Sequence, residues 1–310
     1  MKNKYLIIVF LIVGITTLSC KKTKNSNAEE PCPGFCKNFD FGLIDYQPAW
    51  SPDGKYIAYY HIDKEIAKNG IWLITPDGKE SRLWHSGLGA ETPTWSPDGQ
   101  WIAFSQGEQI WKKKLNGDSL IRITNEGRNF FPAWSPDGKW IAYDSNIENP
   151  NNWNFLWKVS LLDYTKIRIA YDLLNGEIRK PYWGVDNKIY HTRYIVGNYY
   201  SEIFSIEADG SNSKRLTNNS ALDNYPKYSV NNKISYTSQP VNSAPQIWTM
   251  NADGSNQKQL TQTGGYTSDW SPDGSKIVFT DSRAVNGRLW LMNADGSNKQ
   301  QLSFAENFNP

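Results

Sequence analysis

The segment Pro48-Ala49-Trp50-Ser51-Pro52-Asp53-Gly54-Lys55-Tyr56-Ile57-Ala58-Tyr59 returns almost unchanged at residues 93–104 and 132–143, and in weaker form at 181–190, 226–236 and 269–279. Self-similarity at a fixed spacing constrains a chain more than composition does, because one supersecondary unit must then be stacked on copies of itself. From Trp50 to Trp270 there are five intervals averaging 44 residues, within the ~40–45 residues of a four-stranded propeller blade. Each copy is followed by a second signature, clearest in Ile247-Trp248-Thr249-Met250-Asn251-Ala252-Asp253-Gly254-Ser255, with relatives beginning at Ile71, Ile110, Leu156, Ile203 and Leu289.

Each unit therefore offers four short strands: one ending in Trp-Ser, one of Ile-Ala-Phe type, one of Ile-Trp-x-Met type and one of Arg-x-Leu-Thr type. The turns between them have a mechanism. In Ser-Pro-Asp-Gly, proline presets φ, Asp can bond its own backbone, and Gly is free to take positive φ. Asn-Ala-Asp-Gly-Ser serves the outer pair in the same way. A calcium reading of the Asp-Gly turns at Asp209, Asp253 and Asp295 fails on spacing, since none supplies the loop-closing Glu. Trp50, Trp95, Trp134, Trp183 and Trp270 share one repeat position and Trp72, Trp111, Trp157, Trp248 and Trp290 another, with Tyr228 and Phe204 in the two vacancies. A single sheet cannot bury such rings; sheets arranged radially can. The expected fold is all-β, a single six-bladed β-propeller of four-stranded blades over residues 39–310.

Residues 1–19 have the layout of a secretion signal: Lys2 and Lys4, an apolar run shorter than the ~20 residues of a membrane span, then small residues. Leu18-Ser19-Cys20 resembles the lipobox of bacterial lipoproteins, which implies a lipid on Cys20. Residues 20–38 then form a flexible tether, polar and without periodicity. An exported chain sits where thiols oxidise, so Cys32 and Cys36 are a candidate disulfide pair closing a short loop; their spacing matches no metal or redox signature.

The repeats W-S-P-D-G-x-x-I-A-F and I-W-x-M-x-A-D-G-S resemble those of the TolB-type β-propeller over about residues 46–303. The resemblance implies the propeller fold and several possible trades: TolB is periplasmic and binds a peptidoglycan-associated lipoprotein, whereas related propellers accompany hydrolase domains in oligopeptidase-like enzymes and occur in oligogalacturonate lyases. The α/β domain of TolB and the peptidase domain of those enzymes have no counterpart expected here. The net charge of +2, from 33 basic and 31 acidic residues, gives no reason to expect nucleic acid.

Variation among loops marks the working face. The hairpins are uniform, while the second-to-third connections vary and carry His61, Asp63, Lys64, Glu65, Asn149, Asn151, Asn152, Trp153, Arg193, Tyr194, Tyr199, Tyr200 and Arg283. Residues expected just before each first strand, Glu91, Phe131, Arg179, Lys180, Asp223 and Tyr225, sit near the channel mouth. Among these, Trp153, Arg193, Tyr194, Tyr199, Tyr200, Tyr225, Phe131 and Arg283 form the expected binding set, because Tyr, Trp, Arg and Asn give contact area and hydrogen bonds at limited entropy cost. The three histidines, His61, His85 and His191, have no metal spacing, and no nucleophile elbow or phosphate loop exists. The expected function is a non-catalytic, membrane-anchored lipoprotein, a monomeric scaffold without cofactor or metal, holding a protein, peptide or glycan of the bacterial envelope. Its expected place is the outer membrane, with the propeller facing the periplasm. The alternative is a carbohydrate-active lyase or hydrolase at the channel mouth, which requires histidines or carboxylates to converge there.

Overall fold

The computed structural model describes residues 43–148, 153–170, 176–195, 200–281 and 287–304. Cys20, Cys32, Cys36, Asn149, Asn151, Asn152, Tyr199, Arg283 and the expected leader and tether lie outside the described residues.

The described chain is all β apart from one 3-10 turn, Ile66–Lys68. Its strands form antiparallel sets of four, paired in chain order. The first set is Ile44–Trp50, Ile57–Ile62, Gly70–Ile74 and Ser81–Ser86; the second is Glu91–Trp95, Trp101–Gln106, Gln109–Lys114 and Leu120–Arg122. The third is Asn129–Trp134, Trp140–Ser145, Phe155–Ser160 and Lys166–Ala170; the fourth is Ile178–Trp183, Lys188–Tyr194, Ser201–Glu207 and Lys214–Arg215. The fifth is Leu222–Ser229, Lys233–Gln239, Gln246–Asn251 and Lys258–Gln259, and the sixth Ser268–Trp270, Lys276–Asp281, Arg288–Asn293 and Gln300–Gln301. A single parallel bridge, Ser201 to Leu222, links the fourth set to the fifth.

The repeat motifs become intelligible atom by atom. In the first hairpin the Asp53 carboxylate accepts from Ser51 Oγ at 2.7 Å and from the Lys55 N–H at 3.1 Å, while Ser51 Oγ accepts from the Tyr56 N–H at 2.9 Å. The same bonds recur around Asp98, Asp137 and Asp273. Gly54 stands at φ 72°, a conformation that favours glycine. In four sets the Thr or Ser after the outer strand latches it onto the third: Thr124, Thr217, Thr261 and Ser303 accept from the N–H of Ile110, Ile203, Ile247 and Leu289 at 2.8–3.0 Å. In the turns at Asp209, Asp253 and Asp295 the carboxylate accepts from the Ser two residues on, so those acids serve their own turns.

Packing runs between the sets. One apolar cluster joins Trp95, Ile102 and Phe104 of the second set to Ala49, Ala58, Ile71 and Leu73 of the first, and comparable clusters join second to third, third to fourth, fourth to fifth and fifth to sixth. A sixth cluster brings Val278, Leu289, Leu291 and Leu302 of the last set against Trp50, Tyr59 and Trp72 of the first. The first-strand rings Trp50, Trp95, Trp134, Trp183, Tyr228 and Trp270 are all buried. The third-strand rings are less uniform: Trp72, Trp157 and Phe204 are buried, whereas Trp111, Trp248 and Trp290 are half-buried. Arg122 and Arg168 of outer strands lie over Trp111 and Trp157.

The first strands touch in a cycle, Ile44–Trp50 against Glu91–Trp95, each onward to the next, and Ser268–Trp270 back against Ile44–Trp50. Among the described residues the cycle is joined without strand exchange, since the first and sixth sets are each made of consecutive strands. Their junction is held by side chains instead. The buried Asp45 carboxylate accepts from His61 at 2.6 Å, from Ser303 Oγ at 2.5 Å and from Arg288 at 3.4 Å, and its N–H bonds the Gly287 carbonyl. The Trp50 N–H donates to Asp269 at 2.8 Å.

Candidate functional site

Every first strand but the last described one carries a bulge at the same place, where the register skips across Gln47-Pro48, Thr92-Pro93, Phe131-Pro132, Lys180-Pro181 and Tyr225-Pro226. At each the residue before proline has a positive φ, between 54° and 58°. For β-branched or bulky residues this conformation is costly, on the order of 1 kcal/mol each, and persists only where surroundings impose it. Bulges re-aim side chains. Here they turn Gln47, Thr92, Phe131, Lys180 and Tyr225, with Thr267 of the sixth set, into one axial pocket.

What imposes the conformation at four of the five bulges is a chain of bonds from one set to the one before it. The Gln47 N–H donates to Thr267 Oγ1 (3.0 Å), that of Thr92 to Gln47 Oε1 (2.9 Å), that of Phe131 to Ser105 Oγ (3.2 Å) and that of Lys180 to Asp144 Oδ2 (3.0 Å). The sequence reading placed Glu91, Phe131, Arg179, Lys180, Asp223 and Tyr225 before their first strands. The structure places them inside, at or beside the bulge; strand pairing resumes on both sides of a single displaced dipeptide.

The pocket is lopsided. Gln47, Thr92 and Thr267 give a small, polar half. The other half is aromatic and cationic: Phe131 meets Tyr225 edge-on at 6.0 Å, Tyr225 meets Tyr266 at 5.1 Å, and the Lys180 ammonium lies 4.1 Å from the centre of the Tyr225 ring. Lys180 Nζ donates to Tyr194 OH at 2.9 Å and to Asn224 Oδ1 at 2.8 Å, and Tyr194 OH donates to the same oxygen at 3.0 Å. Burial pulls the Lys180 ammonium down to about 8 and pushes the Tyr194 phenol up to about 12.

Three carboxylates on or beside the first strands are each engaged. Asp144, pushed up to about 7 by burial, accepts from Asn154 Nδ2 at 3.0 Å as well as from the Lys180 backbone. Glu91, also pushed up to about 7 by burial, accepts from Tyr46 OH at 3.2 Å. Glu177 pairs with Arg179 at 2.7 Å.

The expected binding residues thus divide. Phe131, Tyr194 and Tyr225 come together around Lys180. Arg193 points away from Tyr194 by strand alternation and lies over Phe204, 5.1 Å from its centre. Trp153 is partly exposed beside Asn154, and Tyr200 precedes the strand Ser201–Glu207. Asp223 is buried and accepts from Asn219. The histidines occupy three separate places: His61 on Asp45, His85 on Gln106, and His191 stacked on Phe204 with its imidazole pulled down to about 4 by burial. Sequence reasoning missed Gln47, Thr92, Asn224, Tyr266 and Thr267; for Gln47 and Thr92 the signal was the residue before each repeated proline, which marks the pocket-facing position five times over, whereas Asn224, Tyr266 and Thr267 carry no such mark.

The described residues hold no cluster of His, Cys, Asp and Glu suited to a metal ion and no helix long and apolar enough to cross a membrane. No sequence among curated proteins matches the chain. Among solved structures it is similar to the putative TolB of Agrobacterium tumefaciens, at 20% identity and TM-score 0.64, over 81% of this chain and 90% of that one. It is also similar to TolB of Acinetobacter baumannii, at 21% identity and TM-score 0.64, over 83% of this chain but 62% of that one. An oligogalacturonate lyase in complex with manganese shares the fold at 14% identity and TM-score 0.58, over 84% of this chain and 77% of that one. The sequence pattern of the TolB beta propeller domain matches residues 40–187 and 192–309, so the chain belongs to that family.

Proposed function

We propose that this protein is a six-bladed propeller that works by binding, exported behind residues 1–19, tethered to the outer membrane of a bacterial envelope through a lipid on Cys20, and holding a protein partner at the channel mouth on its periplasmic side. The observation that carries the reading is the convergence of Phe131, Tyr225 and Lys180 on one axial pocket, with aromatic area and a cation side by side and Tyr194 bonded to that cation. Such pairs supply most of the energy at protein interfaces. The engaged carboxylates and the three separated histidines weigh against the carbohydrate-active alternative, which needs a free acid pair or a histidine cluster facing the substrate. Membership of the TolB beta propeller domain family adds weight to a protein partner. Trp153 and Tyr200 are assigned to the outer part of the same proposed surface, and Tyr199 and Arg283, expected there from the sequence, lie outside the described residues.

Crosslinking in intact envelopes followed by affinity capture tests this. Phe131→Ala/Tyr225→Ala, in a chain shown by circular dichroism to be folded, is expected to lose the partner captured by the parent. Equal recovery of the same partner from the folded variant contradicts the choice of surface.

A further inference from the structure

Lys180 is the anomaly of the pocket. It is 7% exposed, and its ammonium is held only by neutral groups, the Tyr194 phenol, the Asn224 amide oxygen and the Tyr225 ring. Asp144 and Glu177 act on it only at longer range, and Arg179 opposes them with a charge of the same sign. A buried cation without a contacting anion is costly, and proteins seldom keep one without use. An ammonium carries three donors; two are occupied here. Asn224 spends its oxygen on Lys180 and Tyr194, which fixes the orientation of the amide, since its NH₂ cannot face an ammonium. That NH₂ makes no hydrogen bond among the described residues. The third Lys180 donor is thus left at a pocket that Phe131 and Tyr225 line, and the Asn224 NH₂ is left on the amide bonded to the same ammonium.

We propose that this corner of the pocket takes the carboxylate end of a partner polypeptide, with the free C-terminal carboxylate on Lys180 Nζ and Asn224 Nδ2 and an apolar last side chain against Phe131, Tyr225 and Tyr266. The proposal rests on the mouth being the binding surface and names what that surface reads. A monoanion fits better than a phosphate, because four of the five bulge N–H groups that would cradle a dianion, those of Gln47, Thr92, Phe131 and Lys180, are already bonded to side chains of the neighbouring set. With four of those five donors engaged, an added strand would find few partners inside the pocket, which favours a chain end over the middle of a chain.

The test uses the full chain and two probes that differ only in charge, N-acetyl-L-phenylalanine and N-acetyl-L-phenylalaninamide, with binding read by ligand-observed NMR at pH 7. The acid is expected to bind at least about tenfold more tightly than the amide, the usual scale for a charge-assisted contact of this kind. Lys180→Met should remove that difference while leaving any aromatic contribution to amide binding, and Asn224→Ala should reduce it. Equal binding of acid and amide to the parent, or no binding of either, overturns the carboxylate proposal whether or not the variants fold. Partner capture lost in Phe131→Ala/Tyr225→Ala would then still support the mouth as the binding surface.

Discussion

At the scale of single residues, the pocket is built from groups whose burial works against their charge. Glu91 shows the consequence most simply. Its folded carboxyl titrates near 7 because burial disfavours the anion, with the Tyr46 hydrogen bond pulling weakly the other way. An acid whose folded pKa is raised above its unfolded value favours folding below the unfolded value, and that advantage is lost as pH rises through the folded one. Stability should therefore decline between about pH 4.5 and about 7 on account of Glu91, and Asp144 acts in the same direction over a similar window. Glu91→Gln keeps an acceptor for Tyr46 and removes the ionisation, so it should raise stability at pH 8 by on the order of 1 kcal/mol relative to the parent and do little at pH 4.5. Urea titrations at the two pH values check it; a variant less stable at pH 8 would show that the anion is better solvated than its surroundings indicate. The turn acids behave oppositely. Asp273 is pulled down to about 2 by the Ser271 hydroxyl and the Ser275 backbone and side chain, so its contribution is present above the ordinary carboxylate range and fades only in strong acid.

At the scale of strands and sheets, each first-strand ring is shared between two sets. Trp95 is buried in the cluster between the first and second sets, and its Nε1 donates to the Ala49 carbonyl of the preceding set at 2.9 Å. Trp95→Ala should cost about 3–5 kcal/mol and lower the thermal midpoint, whereas Asp53→Ala, which removes one exposed turn acceptor, should cost about 1 kcal/mol or less. Calorimetry on both distinguishes the two, and comparable losses would mean that turns rather than shared rings set stability. The hairpins and the rings were legible in the sequence because each depends on a local pattern, Ser-Pro-Asp-Gly or Ile-Trp, repeated at one spacing. The bulge was not. Its identity is spread over Gln47, Thr92, Phe131, Lys180 and Tyr225, residues with nothing in common but the proline that follows, and their positive φ is imposed by the neighbouring set rather than by the strand itself. Half of the pocket was therefore anticipated through its aromatic and basic members, while the small polar half, Gln47, Thr92 and Thr267, was passed over as unremarkable.

At the scale of the whole molecule, the pocket exists only if the first set meets the sixth, because Gln47 owes its orientation to Thr267 and Thr92 owes its own to Gln47. Nothing short-range announces that junction: Asp45 and Ser303 lie 258 residues apart. A single buried carboxylate ties His61, Arg288 and Ser303 together there, and removing it leaves their donors unanswered. Asp45→Ala should cost about 3–5 kcal/mol, the usual consequence of breaking a buried charged network. The loss should not be spread evenly around the molecule. Native-state hydrogen exchange on the parent and on Asp45→Ala, resolved by peptide, examines the closed cycle of sets directly. Closure predicts that Ile44–Trp50 and Arg288–Asn293 are protected together in the parent and lose protection together in the variant, ahead of Trp140–Ser145 and Lys188–Tyr194 on the far side. Independent exchange of the first and sixth sets in the parent, at rates the substitution leaves unchanged, would contradict it.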